Sequence, residues 1–279
     1  MSASELRCFM DFVIPLVRNA GKLLLEAKNF KIETKDESWD LVTIYDRKIE
    51  ETLILKIKEK YPQHKFIGEE SSAAENSIPE LTEEPTWIID PIDGTANFVR
   101  RIPLSAISIG LTINKQVVLG IVYNPHLNEL FHSIKGQGCF LNEERIQTSG
   151  LKDINGACFN YELSLARREL LRNLYLYRLK HLIGRTEGIR SLGSAVLGLC
   201  YVAKGAIDAY QCDGLYAWDV AAGSLFVQEA GGFICDTTGK PEIDIMNPNF
   251  LATATKELSD QFMAIEKIAD EERINNELK

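Results

Sequence analysis

Apolar side chains return every third or fourth position near the start of the chain: Leu6, Phe9, Met10, Val13, Val17, Ala20, Leu24 and Ala27. This spacing predicts an amphipathic helix laid on a core. Pro15 interrupts it, and a proline inside a helix costs about 3 kcal/mol, so a kink or a separate first part is expected. A polar stretch over residues 35–46 leads into a second helix that runs to about Lys60 and stops before Pro62. Phe66-Ile67 reads as a short strand closing on Gly68-Glu69-Glu70-Ser71-Ser72, which puts two adjacent glutamates on a surface loop. Residues 72–85, rich in Ser, Ala, Glu and Pro, read as an exposed, mobile excursion.

The pattern changes at Trp87-Ile88-Ile89, a buried strand that runs into Asp90 and Asp93. Strand-like stretches follow at 105–113, 116–123 and 129–134, separated by the turns Asn114-Lys115 and Asn124-Pro125-His126, which is the pattern of an antiparallel meander. Gly136-Gln137-Gly138 fits a tight hairpin better than a dinucleotide fingerprint, because no third glycine opens a helix after it. Beyond residue 150 the order becomes α/β: short apolar pieces at 157–159, 206–210 and 232–235 alternate with helical patterns at 164–179, 194–204 and 220–230. Gly205 and Gly231 stand where helix C-caps would lie. Leu258, Phe262, Ile265, Ile268 and Ile274 give the tail a last helix that frays at its charged end. The whole chain, 1–279, reads as one domain with an antiparallel lobe over 1–150 and an α/β lobe over 151–279.

Composition narrows the function classes. The chain carries 40 acidic and 31 basic residues, a formal charge of -9, which argues against nucleic acid or an anionic membrane as the main partner. Its apolar runs fall far short of the roughly 20 residues needed to span a bilayer, and the N-terminal sequence lacks the pattern of a secretory signal. The six cysteines are scattered singly with no Cys-x-x-Cys pair, as expected of reduced thiols in a cytoplasmic protein.

The candidate chemistry gathers around residues 87–98. Asp90 and Asp93 flank Pro91 and are closed by Gly94-Thr95, and clustered carboxylates repel unless a cation sits between them. A divalent cation such as Mg2+ suits such a set of hard oxygen ligands. Gly94-Thr95-Ala96-Asn97 resembles a first helical turn, whose free amides suit a phosphate. Thr43 and Asp46 have the spacing of a capping box; Asp46 is either that cap or part of a site. Asp219, in Trp218-Asp219-Val220, is likewise either a helix cap or a ligand.

Gly68-Glu69-Glu70-Ser71, Trp87-Ile88-Ile89-Asp90-Pro91-Ile92-Asp93-Gly94-Thr95, and Trp218-Asp219-Val220-Ala221-Ala222-Gly223 followed by Glu229-Ala230-Gly231-Gly232 resemble the three signature segments of the inositol monophosphatase family. Asp40-Leu41-Val42-Thr43 with Asp46 resembles a fourth. The resemblance spans essentially the whole chain. It implies a layered α-β-α-β-α fold, usually a homodimer, that hydrolyses phosphate monoesters with Mg2+ and is commonly inhibited by lithium. It also implies that Glu70, Asp90, the Ile92 carbonyl, Asp93 and Asp219 hold metal, that Thr95 with Asp46 activates the attacking water, and that the amides of Gly94 and Thr95 hold the phosphate. Substrate contacts carry over onto Gly193, Ser194, Ala195 and Asp219, and onto Cys212, where the family has a glutamate that contacts inositol hydroxyls. Ala96, where many members have threonine, is a smaller departure. Lys35 matches a loop lysine near the metals, or is a solvated surface lysine. The reaction implied is hydrolysis of myo-inositol 1-phosphate by in-line attack of water. A sibling phosphatase acting on a nucleotide bisphosphate, fructose 1,6-bisphosphate or another sugar phosphate, and a catalytically silent metal-binding protein, are the alternatives.

Overall fold

The computed structural model describes residues 2–27, 31–34 and 41–277; Lys35 and Asp40 lie outside them. The chain opens with α1 (Ala3–Glu26), β1 (Ile32–Thr34), β2 (Leu41–Thr43) and α2 (Ile44–Lys60). Helix α1 runs unbroken through Pro15, so its first part is not separate. Pro15 lies on the exposed side, while Leu6, Phe9, Met10, Val13, Val17, Ala20 and Leu24 hold the opposite side in the core. Burial along that stripe outweighs the loss of one backbone hydrogen bond.

Next come β3 (Lys65–Gly68), α3 (Glu69–Glu75), β4 (Thr86–Asp93), α4 (Thr95–Arg100), β5 (Ala106–Ile113), β6 (Gln116–Asn124), β7 (Glu129–Ile134), β8 (Cys139–Leu141) and β9 (Glu144–Ile146). Strands β3 to β9 form one seven-stranded sheet in sequence order, with β3 parallel to β4 and the remaining pairs antiparallel. The expected meander is therefore its centre. The two glutamates expected on a surface loop instead open α3, and Glu70 is buried. Glu50 causes this: its carboxylate accepts the amides of Glu70 at 2.8 Å and Ser71 at 2.7 Å, capping a helix that has no cap of its own.

The second half contains β10 (Cys158–Tyr161), α5 (Glu169–Leu182), β11 (Gly188–Arg190), α6 (Ala195–Ala203), β12 (Ala209–Cys212), α7 (Ala217–Glu229), β13 (Phe233–Asp236), β14 (Phe250–Thr253) and α8 (Lys256–Glu277). Its sheet has the order β11-β10-β12-β14-β13, parallel among the first three strands and antiparallel beyond.

Alternation of side chains across each sheet produces the layers. Trp87 and Ile89 of β4 pack with α1 and α2, whereas Ile88 joins Leu199 of α6 and Val220 of α7 on the other face. In β14, Phe250 and Ala252 share that middle cluster, and Leu251 faces Phe262 of α8. The result is the layered α-β-α-β-α sandwich. Helix α7 approaches the large sheet where Gly110 pairs with Gly120; a Cβ at either would meet Ala221 or Phe226 at 2.8 Å. That close approach fixes the start of α7 beside the end of β4. Among the described residues, no helix is long and apolar enough to cross a membrane.

Candidate active site

Strand β4 pairs regularly with β5 up to Asp90 and then shifts register before Asp93. The shift lets both aspartates leave the same strand end toward one side. Asp90 accepts the Ile92 amide at 2.9 Å. Asp219, in the first turn of α7, accepts the Tyr216 amide at 2.7 Å. Capping does not draw it from the cluster, because oxygen atoms of Asp90, Asp93 and Asp219 also lie within 4.8 Å of one another.

Burial is the main cause that pushes the carboxyls of Asp90 and Asp219 well above the usual carboxylate range. The charges of Glu69 and Asp93 push Asp90 further, and that of Asp93 acts on Asp219. Burial also raises Asp93, up to about 6, against the opposing pull of Ser194 and two amides. Mutually repelling oxygen ligands on rigid supports fit a hard divalent cation, whose charge would restore the ionised forms.

The neighbouring glutamates divide differently from the sequence expectation. It is the Glu69 carboxylate that hydrogen-bonds Asp90, and its charge reaches Asp93 and Asp219 as well. Glu70 lies one position along the same helical turn, about 100° further round, and is 8% exposed. Of the two glutamates, Glu69 is thus the one whose charge acts on all three aspartates, whereas the sequence expectation gave that place to Glu70.

Thr95 opens α4 directly after the cluster. Its hydroxyl is 3.3 Å from Asp46 Oδ1 and 3.0 Å from the Ile92 carbonyl. Asp46 Oδ2 meanwhile accepts the Thr43 amide at 2.7 Å and the Thr43 hydroxyl at 2.6 Å. The capping box thus orients the carboxylate whose other oxygen faces Thr95.

Ser194 and Ala195 arrive from the start of α6. The Asp93 carboxylate accepts the Ser194 hydroxyl, the Ala195 amide at 3.1 Å and the Val196 amide at 2.9 Å. In this structure these residues hold Asp93. The loop before them is fixed by buried Glu162, which accepts the Ser191 hydroxyl and the amides of Leu192 and Gly193 at 3.0 to 3.2 Å. Asn97 joins α4 to the same loop through the Leu192 carbonyl at 2.8 Å. Cys212 does not reach the cluster surface: its thiol is fully buried, 3.5 Å from the Tyr175 hydroxyl, and burial keeps it neutral. Sequence reasoning missed Glu50, Glu162 and Asn97. For Glu162 a signal existed, since extending the apolar piece at 157–159 by two residues leaves a carboxylate at a buried strand end.

A profile of the inositol monophosphatase family matches residues 5–270. Inositol monophosphatase 1 of Bos taurus is 44% identical over 256 residues, covering 90% of this chain and 91% of its own. The solved structure of the Thermotoga maritima IMPase superposes with a TM-score of 0.81 at 32% identity, covering 95% of this chain and 98% of that one. An inositol monophosphatase from Anabaena (Nostoc) gives a TM-score of 0.81 at 30% identity, with coverages of 94% and 96%.

Proposed function

Because this chain belongs to the inositol monophosphatase family and is a phosphatase, we propose that it uses Mg2+ to hydrolyse myo-inositol 1-phosphate. The observation that carries this reading is the meeting of three aspartates within 4.8 Å, beside a threonine hydroxyl set 3.3 Å from a capped carboxylate. Glu69, Asp90, the Ile92 carbonyl, Asp93 and Asp219 would hold the cations. When bound, they supply Lewis-acid polarisation of the phosphoryl oxygens and stabilise the charge on the departing oxygen.

The chain's own groups do the rest. The amides of Gly94 and Thr95 hold the phosphate at the first turn of α4. The Thr95 hydroxyl accepts a hydrogen bond from the attacking water and passes its own proton toward Asp46, so water gains nucleophilic character without a free hydroxide. The water oxygen bonds to phosphorus opposite the ester oxygen. The ester P–O bond breaks, its electron pair leaves with the alcohol oxygen, and that oxygen takes a proton from solvent. Ser194 and Ala195, which hold Asp93, and Gly193, anchored to Glu162, shape the alcohol side. A homodimer, a cytoplasmic location and inhibition by lithium complete the proposal and rest on family likeness.

The test is phosphate release from myo-inositol 1-phosphate with and without Mg2+. Thr95→Ala is expected to lower kcat by about 100-fold or more. Turnover that ignores Mg2+, or a Thr95→Ala enzyme of native rate, would defeat the assignment.

A further inference from the structure

Helix α8 and the turn after β13 enclose a cavity of about 720 Å³ in the outer layer of the second lobe. Phe233, Pro241, Met263 and Ile274 give it apolar walls. The turn is firmly built: the Asp236 carboxylate accepts the amides of Thr238 at 2.8 Å and Lys240 at 2.9 Å. A space of this size, mostly apolar with a few polar groups, has the make-up of a small-molecule site.

Two polar side chains in its lining, Ser259 and Glu266, are each only 1% exposed. The Ser259 hydroxyl meets the Cys235 thiol at 3.5 Å. Glu266 is different, because neither of its carboxylate oxygens has a hydrogen-bond partner among the described residues. Arg178 Nη1 lies 3.4 Å from Glu266 Oε2, but its directed hydrogen bonds go elsewhere: Nη1 to Asp213 at 3.2 Å, Nε and Nη2 to Asp270 at 3.1 and 2.8 Å. Three carboxylates thus share one guanidinium. Burial pushes the Glu266 carboxyl up to about 8; Arg178 opposes the rise, and Asp213 and Asp270 add to it. Tyr161 and Cys235, the other titratable groups that feel Glu266, are both raised by burial and bring no positive charge.

Asp270 also lines the cavity, and its side chain is 28% exposed. With Asp260 and Glu271 the lining carries four acids against Lys256 and Lys267, and Lys256 is bound to Asp260 at 2.8 Å. A buried carboxylate without a hydrogen bond is costly, and a charged donor is what relieves it.

We propose that this cavity is a binding site for an amphipathic organic cation, whose ammonium group pairs with Glu266 and Asp270 while its apolar part lies along Phe233, Met263 and Ile274. A neutral apolar molecule would leave Glu266 unmatched, an anion would be repelled by the four acids, and a metal ion would leave the apolar walls unused.

The experiment measures binding of 4-phenylbutylamine, 4-phenylbutan-1-ol and 4-phenylbutyrate to the full chain by calorimetry. The amine is expected to bind at least about 10-fold more tightly than the alcohol, and the carboxylate not at all. Near pH 7 amine binding should release about one proton, because the ammonium favours ionised Glu266, and affinity should rise from pH 6.5 to 8.5. Glu266→Gln should lose about 10-fold or more for the amine, little for the alcohol, and the proton release with it. Ala264→Trp, placed in the cavity from an exposed position of α8, should abolish amine binding and leave phosphate release unchanged. Equal affinity for the three probes, no amine binding up to about 5 mM, or native amine affinity in Ala264→Trp would overturn the proposal.

Discussion

Replacing Glu69 and Glu70 separately by glutamine distinguishes which of two adjacent carboxylates belongs to the metal site. Glu69 hydrogen-bonds Asp90 and acts on Asp93 and Asp219, so its charge is one of four crowded at the end of β4. Unit charges about 4 Å apart interact by about 4 kcal/mol at an effective dielectric of 20. The amide of Glu69→Gln removes part of that repulsion from the metal-free protein and part of the attraction for the cation. A loss of Mg2+ affinity of about 100-fold is expected. At Mg2+ set to about 100 times the native Kd, binding stabilises the native protein by about 2.7 kcal/mol, but the variant by only about 0.4 kcal/mol. With roughly 2 to 4 °C of Tm per kcal/mol for a chain of this size, the native protein should gain about 5 to 10 °C on adding Mg2+ and Glu69→Gln about 1 °C. Without Mg2+ the order reverses, with Glu69→Gln the more stable. Glu70→Gln should keep the native Mg2+ response. A full Tm gain in Glu69→Gln together with its loss in Glu70→Gln would refute the assignment.

Further outcomes follow from the same geometry. Asp93 is held at about 6, above the usual value of 3.8, so its contribution to metal-free stability is complete below about pH 4 and is lost as pH rises through 6. Asp90 and Asp219, also raised, add in the same direction. Metal-free melts should therefore give a higher Tm at pH 5 than at pH 7.5, and saturating Mg2+ should narrow or invert the difference; a metal-free Tm that climbs over this range would contradict it. Arg178→Met leaves Asp213 and Glu266 buried without their cation and should cost about 3 to 5 kcal/mol in urea unfolding. Adding Glu266→Gln should return part of that loss, and simple additivity of the two costs would count against a shared ion pair. Glu162→Ala removes the acceptor for Ser191, Leu192 and Gly193 and should cost at least about 2 kcal/mol, with weaker Mg2+ binding by calorimetry because Ser194 no longer presents its hydroxyl to Asp93.

Long periodic segments were legible in the sequence because burial of one face dictates their spacing. That covers α1, α2, α6, α7 and α8, and the β4 to β7 sheet. Strands β8, β9, β11 and β14, of three or four residues each, are too short to show a period and exist through pairing with distant strands. Phe250–Thr253 becomes a strand because β12 and β13 flank it on both sides. The carboxylates of β4 and α7 announced themselves by clustering beside glycine and proline. The choice between Glu69 and Glu70 did not, because neighbouring residues of one helical turn differ only in direction, and the direction of α3 is fixed by Glu50 from another helix.

The acids of this site fall into two groups with opposite physics. Glu50, Glu162 and Asp46 are surrounded by donors: each accepts two or more amide or hydroxyl hydrogens, and each fixes the start of a helix or loop that the site needs. Asp90 and Asp219 lie beside other carboxylates, and the charges of Glu69 and Asp93 add to burial in raising their affinity for protons. Asp93 belongs to both groups, since three donors from residues 194–196 bind it and yet its carboxyl is still pushed up to about 6. The donors on Asp93 fix its position and remove the freedom to turn away from its neighbours. Repulsion that cannot relax by rotation is relieved only by a proton or a cation. The hydrogen-bonding acids thus hold the repelling ones in place, and the geometry is set before any cation arrives.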